Sequence, residues 1–364
     1  MSRDDLENNV NDTLNNIDMN DLDNMVAGLP GWGFNLFGND SFAQRVGRIL
    51  SGEFVNDYDN IFQALMALFG GAVAGVLPMI LLVVGIAVLG GIIQSLRPLN
   101  GGEGVRDIVH FVTFAAVVVV VMWGVVDIVA TTGRTLSLIK QQMDIIFPIL
   151  LTLVVAVGGT TTASVYQPAV VILSNGVMQI FSHVIMPLFI ITLVFSIVGN
   201  LSSSNRFDKF VSFFTSAYKW TLGIVFTVFM SFLTIQGITA GVADGISLRA
   251  ARFTISSYVP YLGGYVSQGL DLVLASSILI KNAIGLAGLY LLAAVVLGPI
   301  AQIVVFSLGL KLAAAVTQPI ADNRISNFLS SVNKSFSMLI AILVGAAFMY
   351  FVTIGLVMVT GNIL

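Results

Sequence analysis

Six charged side chains stand in or beside sequence apolar enough for lipid: Asp244, Arg249, Arg252, Asp271, Lys281 and Lys311. A charge at the bilayer centre costs about 2.5–3.5 kcal/mol on insertion scales, so such groups usually face a protein interior or a wet cavity. The chemistry open to them is conduction, gating or pairing with a partner. Bond-making chemistry finds no residue set here. The chain lacks G-x-S-x-G, H-E-x-x-H and Walker A motifs, and has no carboxylate pair at workable spacing. Gly158-Gly159 lacks the strand-loop-helix setting and the lysine of a nucleotide loop. With no cysteine there is no thiol catalysis, thiolate metal site or disulfide, and two histidines, His110 and His183, cannot build a His-rich metal cluster. No catalytic residue, cofactor or metal is expected.

Asp244-Gly245 is expected to break the preceding span, with Asp244 capping a helix that starts near Ile246. Arg249 and Arg252, three apart, share a face of that helix. With Leu248 and Phe253 it reads as amphipathic and interfacial. The arginines either bind lipid phosphates, or contact a cytoplasmic partner or close a pore. Asp271 and Lys281 lie about 80° apart around an ideal helix and ~15 Å apart along it, too far to pair directly. With Ser276, Ser277 and Asn282 they could line a polar seam, as a conduit or gating contact. The alternative is that Lys281 snorkels, while Gly269, Ala275, Ala283, Gly285, Ala287 and Gly288 serve close helix packing. Lys311, ahead of Gln318-Pro319, reads as an interfacial snorkel.

The elements that must hold these residues are membrane helices. Of 364 residues, 57% are hydrophobic and 10% charged, with mean hydropathy +0.95; soluble domains average about 25% charged. The fold class is therefore all-α: a polytopic membrane protein with six to eight transmembrane or re-entrant helices. Spans are expected at 72–96 and 108–130, with Asp127 reaching the interface from the end of the second, and a polar stretch at 131–144. Residues 145–201 are apolar but interrupted by Pro148, Gly158, Gly159, Pro168, Asn175 and Pro187. They fit two or three crossings, or a re-entrant pair plus one crossing, the former tolerated only where protein or water covers the backbone. A further span follows at 217–237.

The second part of the chain reads as an internal duplication, the alternative being chance similarity between apolar segments. Asn205-Arg206-x3-Phe210-x-Ser212 matches Asn323-Arg324-x3-Phe328-x-Ser330, and Pro148 and Pro187 correspond to Pro260 and Pro299. The expected divisions are an acidic, partly disordered region with short amphipathic helices (1–70), two transmembrane helices (71–144), a first membrane repeat (145–243) and a second (244–364).

Residues 1–70 carry eleven acids against three arginines, and the remainder thirteen basic residues against eight acids. No basic stripe suggests nucleic-acid binding. Residues 1–24 lack the charged and apolar regions of a signal peptide. Residues 25–70 read either as surface helices with Trp32, Phe34 and Phe37 near a membrane interface, or as a small packed pre-domain. Arg97 and Arg106 favour a cytoplasmic 97–107 loop, which puts the acidic region outside. Either that region stays inside, or a signal peptide has been removed.

QGITAGVADGISLRAARF, DLVLASSILIKNAIGLAG and KLAAAVTQP, with GGTTTASVYQPAVVILSNG and GGIIQSLRP upstream, resemble the stage III sporulation protein AE family of endospore-forming bacteria. The resemblance covers nearly the whole chain. It departs at the start, where the family usually has a cleavable signal peptide. It implies a non-enzymatic component of the mother-cell-to-forespore channel, in the mother-cell membrane surrounding the forespore, with an export-gate-like or permease-like role. The implied partners are the other stage III sporulation A-operon proteins (a secretion-type ATPase and ring-forming membrane proteins), a forespore-side channel protein and the lipid membrane, and no nucleic acid. No catalytic residues are established for the family, so none carry over. The rival readings are a self-contained secondary transporter of a small solute, and a non-conducting scaffold for the channel rings. A pathway, on this reading, runs between the segment of Asp271 and Lys281 and the broken segment at Gly158–Asn175.

Overall fold

The computed structural model describes residues 10, 14, 17–29, 31, 33, 37, 40–52, 58–95, 103–201, 207–258, 263–319 and 323–359, with 58–61, 94–95, 103–107, 200–201, 236–258 and 263–272 described at the backbone only. Among the described residues all regular structure is helical. Two short helices, α1 (Asn20–Ala27) and α2 (Phe42–Ser51), precede the long ones. Then come α3 (Tyr58–Ser95), α4 (Glu103–Ala156) and α5 (Thr160–Val171). Two π-turns, Ile172–Val177 and Phe181–Ile185, flank the single turn α6 (Met178–Ile180) and lead into α7 (Met186–Leu201). The chain finishes with α8 (Asp208–Tyr258), α9 (Gly263–Thr317) and α10 (Asn323–Val359). Six stretches are long and apolar enough to cross a membrane: Phe62–Ile93, Ile108–Ala156, Thr160–Gly199, Asp208–Ile235, Val273–Thr317 and Asn323–Val359.

Helices run further than the sequence reading allowed. α3 begins at Tyr58, so residues up to 71 join the first span. The 54 residues of α4 extend about 80 Å at 1.5 Å per residue, and the polar stretch 131–144 does not end it. Its hydroxyls turn back on the helix: Thr132 and Thr135 each donate to the carbonyl four residues earlier at 2.8 Å, and Lys140 pairs with Asp144 at 2.8 Å. Side-chain polarity does not remove backbone bonds, so the helix persists. α8 likewise continues through Asp244-Gly245, where a break was expected. A helix-interior glycine costs only about 1 kcal/mol relative to alanine, and neither residue lacks a backbone donor. Pro148 and Pro299, read as marking segments, lie inside α4 and α9. No helix ends at residue 144 or 243.

The chain does turn at Gly158-Gly159. Gly158 has φ +88°, a left-handed conformation that glycine adopts without strain. Its amide donates to the Val155 carbonyl and that of Gly159 to the Val154 carbonyl, both at 2.9 Å, closing the end of α4. Pro168 sits inside α5 and Asn175 inside the first π-turn, so Thr160–Leu201 is one helical run with two bulges rather than a re-entrant pair.

α9 lies at the centre, packed on α10, α4, α3 and α2; α10 also packs on α4 and α7, while α8 packs on α7 and α5. Side-chain pairs set the register. Phe306 meets Phe336 at 5.0 Å, and Ser307 donates to Asn333 across the antiparallel α9–α10 pair. Tyr218 donates to the Met338 carbonyl at 2.7 Å, and Phe226 faces Phe348, along the parallel α8–α10 pair. Gln302 donates to Asp127 at 3.1 Å between α9 and α4.

Of the N-terminal helices, α2 is anchored on α9, while α1 packs on α4 and α2. Ser41 and Gln44 form a capping box at the start of α2, and Asp23 accepts from the Phe42 amide at 2.6 Å. Phe37 is fully buried, against Phe42 and Tyr290, as the packed pre-domain reading has it and not the membrane-interface one. Trp32 and Phe34 lie outside the described residues. Arg45 is the lock: its guanidinium stacks over Phe37 and over Tyr290 at 5.0 Å, donates to the Phe37 carbonyl and lies 3.5 Å from Asp40. Three interaction types on one planar group explain how an arginine can be 3% exposed.

Candidate polar seam inside the bundle

Lys281 is fully buried, in the apolar stretch Val273–Thr317, about 12 Å along the helix from its first residue. Ser276 and Ser277 are buried one turn before it. Asn282 is half-buried, with its Oδ1 enclosed and without a hydrogen-bond partner. Lys281 shares its helix face with Ser277 and Gly285, four residues to either side. Gly285 marks where that face points: a Cβ there would lie 2.5 Å from the Met358 sulfur on α10. At Gly288, one turn on, a Cβ would approach Ile146 of α4 at 2.9 Å and Ile354 of α10 at 3.4 Å. Small residues thus bring α9 against α4 and α10 at the level just beyond Lys281.

The same approach places a second polar group inside. Gln142 is fully buried, and its amide donates to the Gly288 carbonyl at 2.6 Å. Tyr350 of α10 points its hydroxyl toward Gln142, with its ring edge-on to Phe147 at 5.6 Å. Gln142 Oε1 and the Tyr350 hydroxyl have no hydrogen bond of ordinary geometry. Thr353, also buried, returns its hydroxyl to the Met349 carbonyl at 2.8 Å. The arrangement is a line of polar groups between three apolar helices: Ser276, Ser277, Lys281 and Asn282 on α9, Gln142 on α4, and Tyr350 and Thr353 on α10. Such a line can hold a cation-bearing side chain, order water or brace the helices. Among the described residues no group of three His, Asp or Glu could hold a metal ion.

The other sequence candidates are placed as follows. Asp244, Arg249 and Arg252 lie on the backbone of α8 and Asp271 on that of α9, with side chains outside the described residues. Lys311 is exposed, six residues before the end of α9. The broken segment near Gly158 was expected to face Lys281. Instead α5 packs on α4 and α8, and the main neighbours of α9 are α10, α4 and α3. Gln142 and Tyr350 were not singled out from sequence. Gln142 belongs to a polar stretch that reads as a loop, and Tyr350 to an apolar helix where one tyrosine carries no spacing signal.

Buried charge and amide groups in a bundle of long apolar helices define an all-α, multi-pass membrane protein. The family profile for stage III sporulation protein AE matches residues 41–361, and the chain belongs to that family. Stage III sporulation protein AE of Bacillus subtilis (strain 168) is 27% identical over 218 residues, covering 60% of this chain and 55% of that protein. The matched part thus spans little more than half of that relative's length. No solved structure matches the chain. Membership implies a role in sporulation.

Proposed function

We propose that this protein is a non-enzymatic membrane component of the channel between mother cell and forespore, with an export-gate-like role. It sits in the mother-cell membrane that surrounds the forespore. Its partners are the channel's secretion-type ATPase, the ring-forming membrane proteins and a forespore-side protein. Family membership supports the sporulation role. The observation that carries the gate reading is the fully buried Lys281, one turn before a glycine-tight contact between α9 and α10. A buried cation in a membrane helix is retained where a pathway or a switch needs it.

The scaffold reading has one observation in its favour: at Gly285 and Gly288 the helices touch without a void, and a cavity of about 940 Å³ lies elsewhere, between α3, α4 and α9. The test is spore formation by a host whose own copy is replaced with this chain carrying Asp244, Arg249, Asp271 and Lys281 all as alanine. The gate reading expects loss of spores at unchanged protein level; the scaffold reading expects normal sporulation. Solute uptake by the purified protein alone in liposomes would instead establish a self-contained transporter.

A further inference from the structure

The 940 Å³ hollow is an open groove on the outer side of the bundle. It is lined by α3 between Ala67 and Leu82, by α4 around Trp123 and Asp127, and by Gly298, Gln302 and Phe306 of α9, of which Gly298 and Phe306 are buried and Trp123 is exposed. The groove is apolar except at Asp127 and Gln302. Asp127 is exposed there, inside the apolar stretch Ile108–Ala156, and no cation among the described residues pairs with it. Away from that groove, α8 presents an exposed face of complementary charge: Lys219, Trp220, Gly223, Ile224, Thr227 and Val228, lining a shallow hollow of about 440 Å³. Lys219 is exposed inside the apolar stretch Asp208–Ile235, with no acid partner among the described residues.

The two features lie at the same depth. Asp127 is bonded to Gln302. Phe306 lies against Phe336 on the antiparallel α10, which puts Gln302 level with Ile340. Tyr218 reaches Met338 on the parallel α8, which puts Lys219 and Trp220 level with Ile340 too. On α3, Gly124 approaches Met79 and Gly90 approaches Thr113, so Asp127 is level with Val76, and Gly223 with the turn between Gly71 and Gly75. A Cβ on Gly71, Gly75 or Gly223 would meet nothing within 4 Å. Their own chain gives no packing reason for glycine, which costs about 0.8–1 kcal/mol in a helix interior relative to alanine. Facing small residues let two membrane helices approach closely. Trp123 is 83% exposed and Trp220 73%.

We infer that the α3–α4–α9 groove packs against the exposed α8 face of a second copy of this chain, with Lys219 of the neighbouring copy against Asp127. Copies inserted in one membrane share an orientation, so a head-to-tail contact requires donor and acceptor at equal depth, as they are. Opposite charges that each lack a charged partner among the described residues are then paired. Because the two surfaces differ, the contact is heterologous and builds a ring or an open array rather than a two-fold dimer.

The chain has no cysteine, so cross-linking can be read cleanly. The full-length protein is expressed in membranes with Gly71→Cys, with Gly223→Cys, or with both, and oxidised. A ladder of cross-linked multimers is expected from the double variant and monomer from each single one. In the double-cysteine background, Asp127→Lys or Lys219→Asp is expected to lower the cross-linked fraction about tenfold, equivalent to ~1.4 kcal/mol, and the two together to restore it to within about twofold. Restoration separates lost contact from lost folding. A monomer from the double-cysteine chain overturns the inference and leaves the groove to lipid or to another protein's helix. Dimers from Gly71→Cys alone, or failure of the combined reversal to restore the ladder, overturn it equally.

Discussion

At Lys281, charge and packing make separable demands. The side chain is fully buried in an apolar stretch, so its ammonium must be held by the protein interior. Lys281→Met keeps much of the volume and removes the charge. It is expected to shift unfolding stability in detergent by less than about 1.5 kcal/mol, the range of volume-conserving swaps, while spore formation falls sharply. A parallel fall in protein level would assign Lys281 to folding alone. Gly288→Leu makes the opposite change, adding volume and no charge. The first added carbon already meets Ile146 at 2.9 Å, so a loss of about 1–3 kcal/mol or more is expected from thermal unfolding in detergent. Lys281 was legible from sequence because a lone cation in an apolar run needs an explanation. Gln142 was not, because a glutamine among threonines, a lysine and an aspartate looks solvated until the facing helix is known.

Two elements depend on single backbone or side-chain features. The turn between α4 and α5 rests on Gly158 at φ +88°, whereas the neighbouring Gly159 has φ −82°. Gly158→Ala is therefore expected to destabilise the protein by about 1 kcal/mol or more and Gly159→Ala by less, a difference that paired thermal melts would resolve. Equal effects would mean that the turn does not set the cost. The docking of α1 and α2 rests on Arg45. Arg45→Lys should not substitute for it, because an ammonium lacks the planar fork that bonds the Phe37 carbonyl while stacking on two rings. Both Arg45→Ala and Arg45→Lys are expected to speed limited proteolysis before residue 58 by about tenfold or more, as expected for a loss of ~1.4 kcal/mol. The glycine pair announced its turn by residue type. The continuity of α4 was hidden, since polar side chains that bond back to their own helix look like loop residues, and that of α8 because an interior glycine reads as a break. The Arg45 cage was hidden as well: it joins residues 8 and 245 positions apart, and no local pattern links them.

For the whole molecule, hydropathy sufficed to read a multi-pass helical protein, because apolar stretches of 28 to 49 residues leave few other solutions. The arrangement of those stretches was not readable. α9 is central because its small residues admit α4 and α10, and helix faces are selected by tertiary fit rather than by composition. The account as a whole turns on whether the charged residues carried by α8 and α9 serve the sporulation role or are incidental to it. The most direct measurement is the heat-resistant spore count of a host carrying only the variant with Asp244, Arg249, Asp271 and Lys281 as alanine, with membrane protein level quantified alongside. A fall of about a hundredfold or more at unchanged protein level is the expected result, in keeping with a Lys281 charge that is buried in an apolar stretch at a cost of ~2.5–3.5 kcal/mol and kept for function. A normal spore count at that same protein level would contradict it.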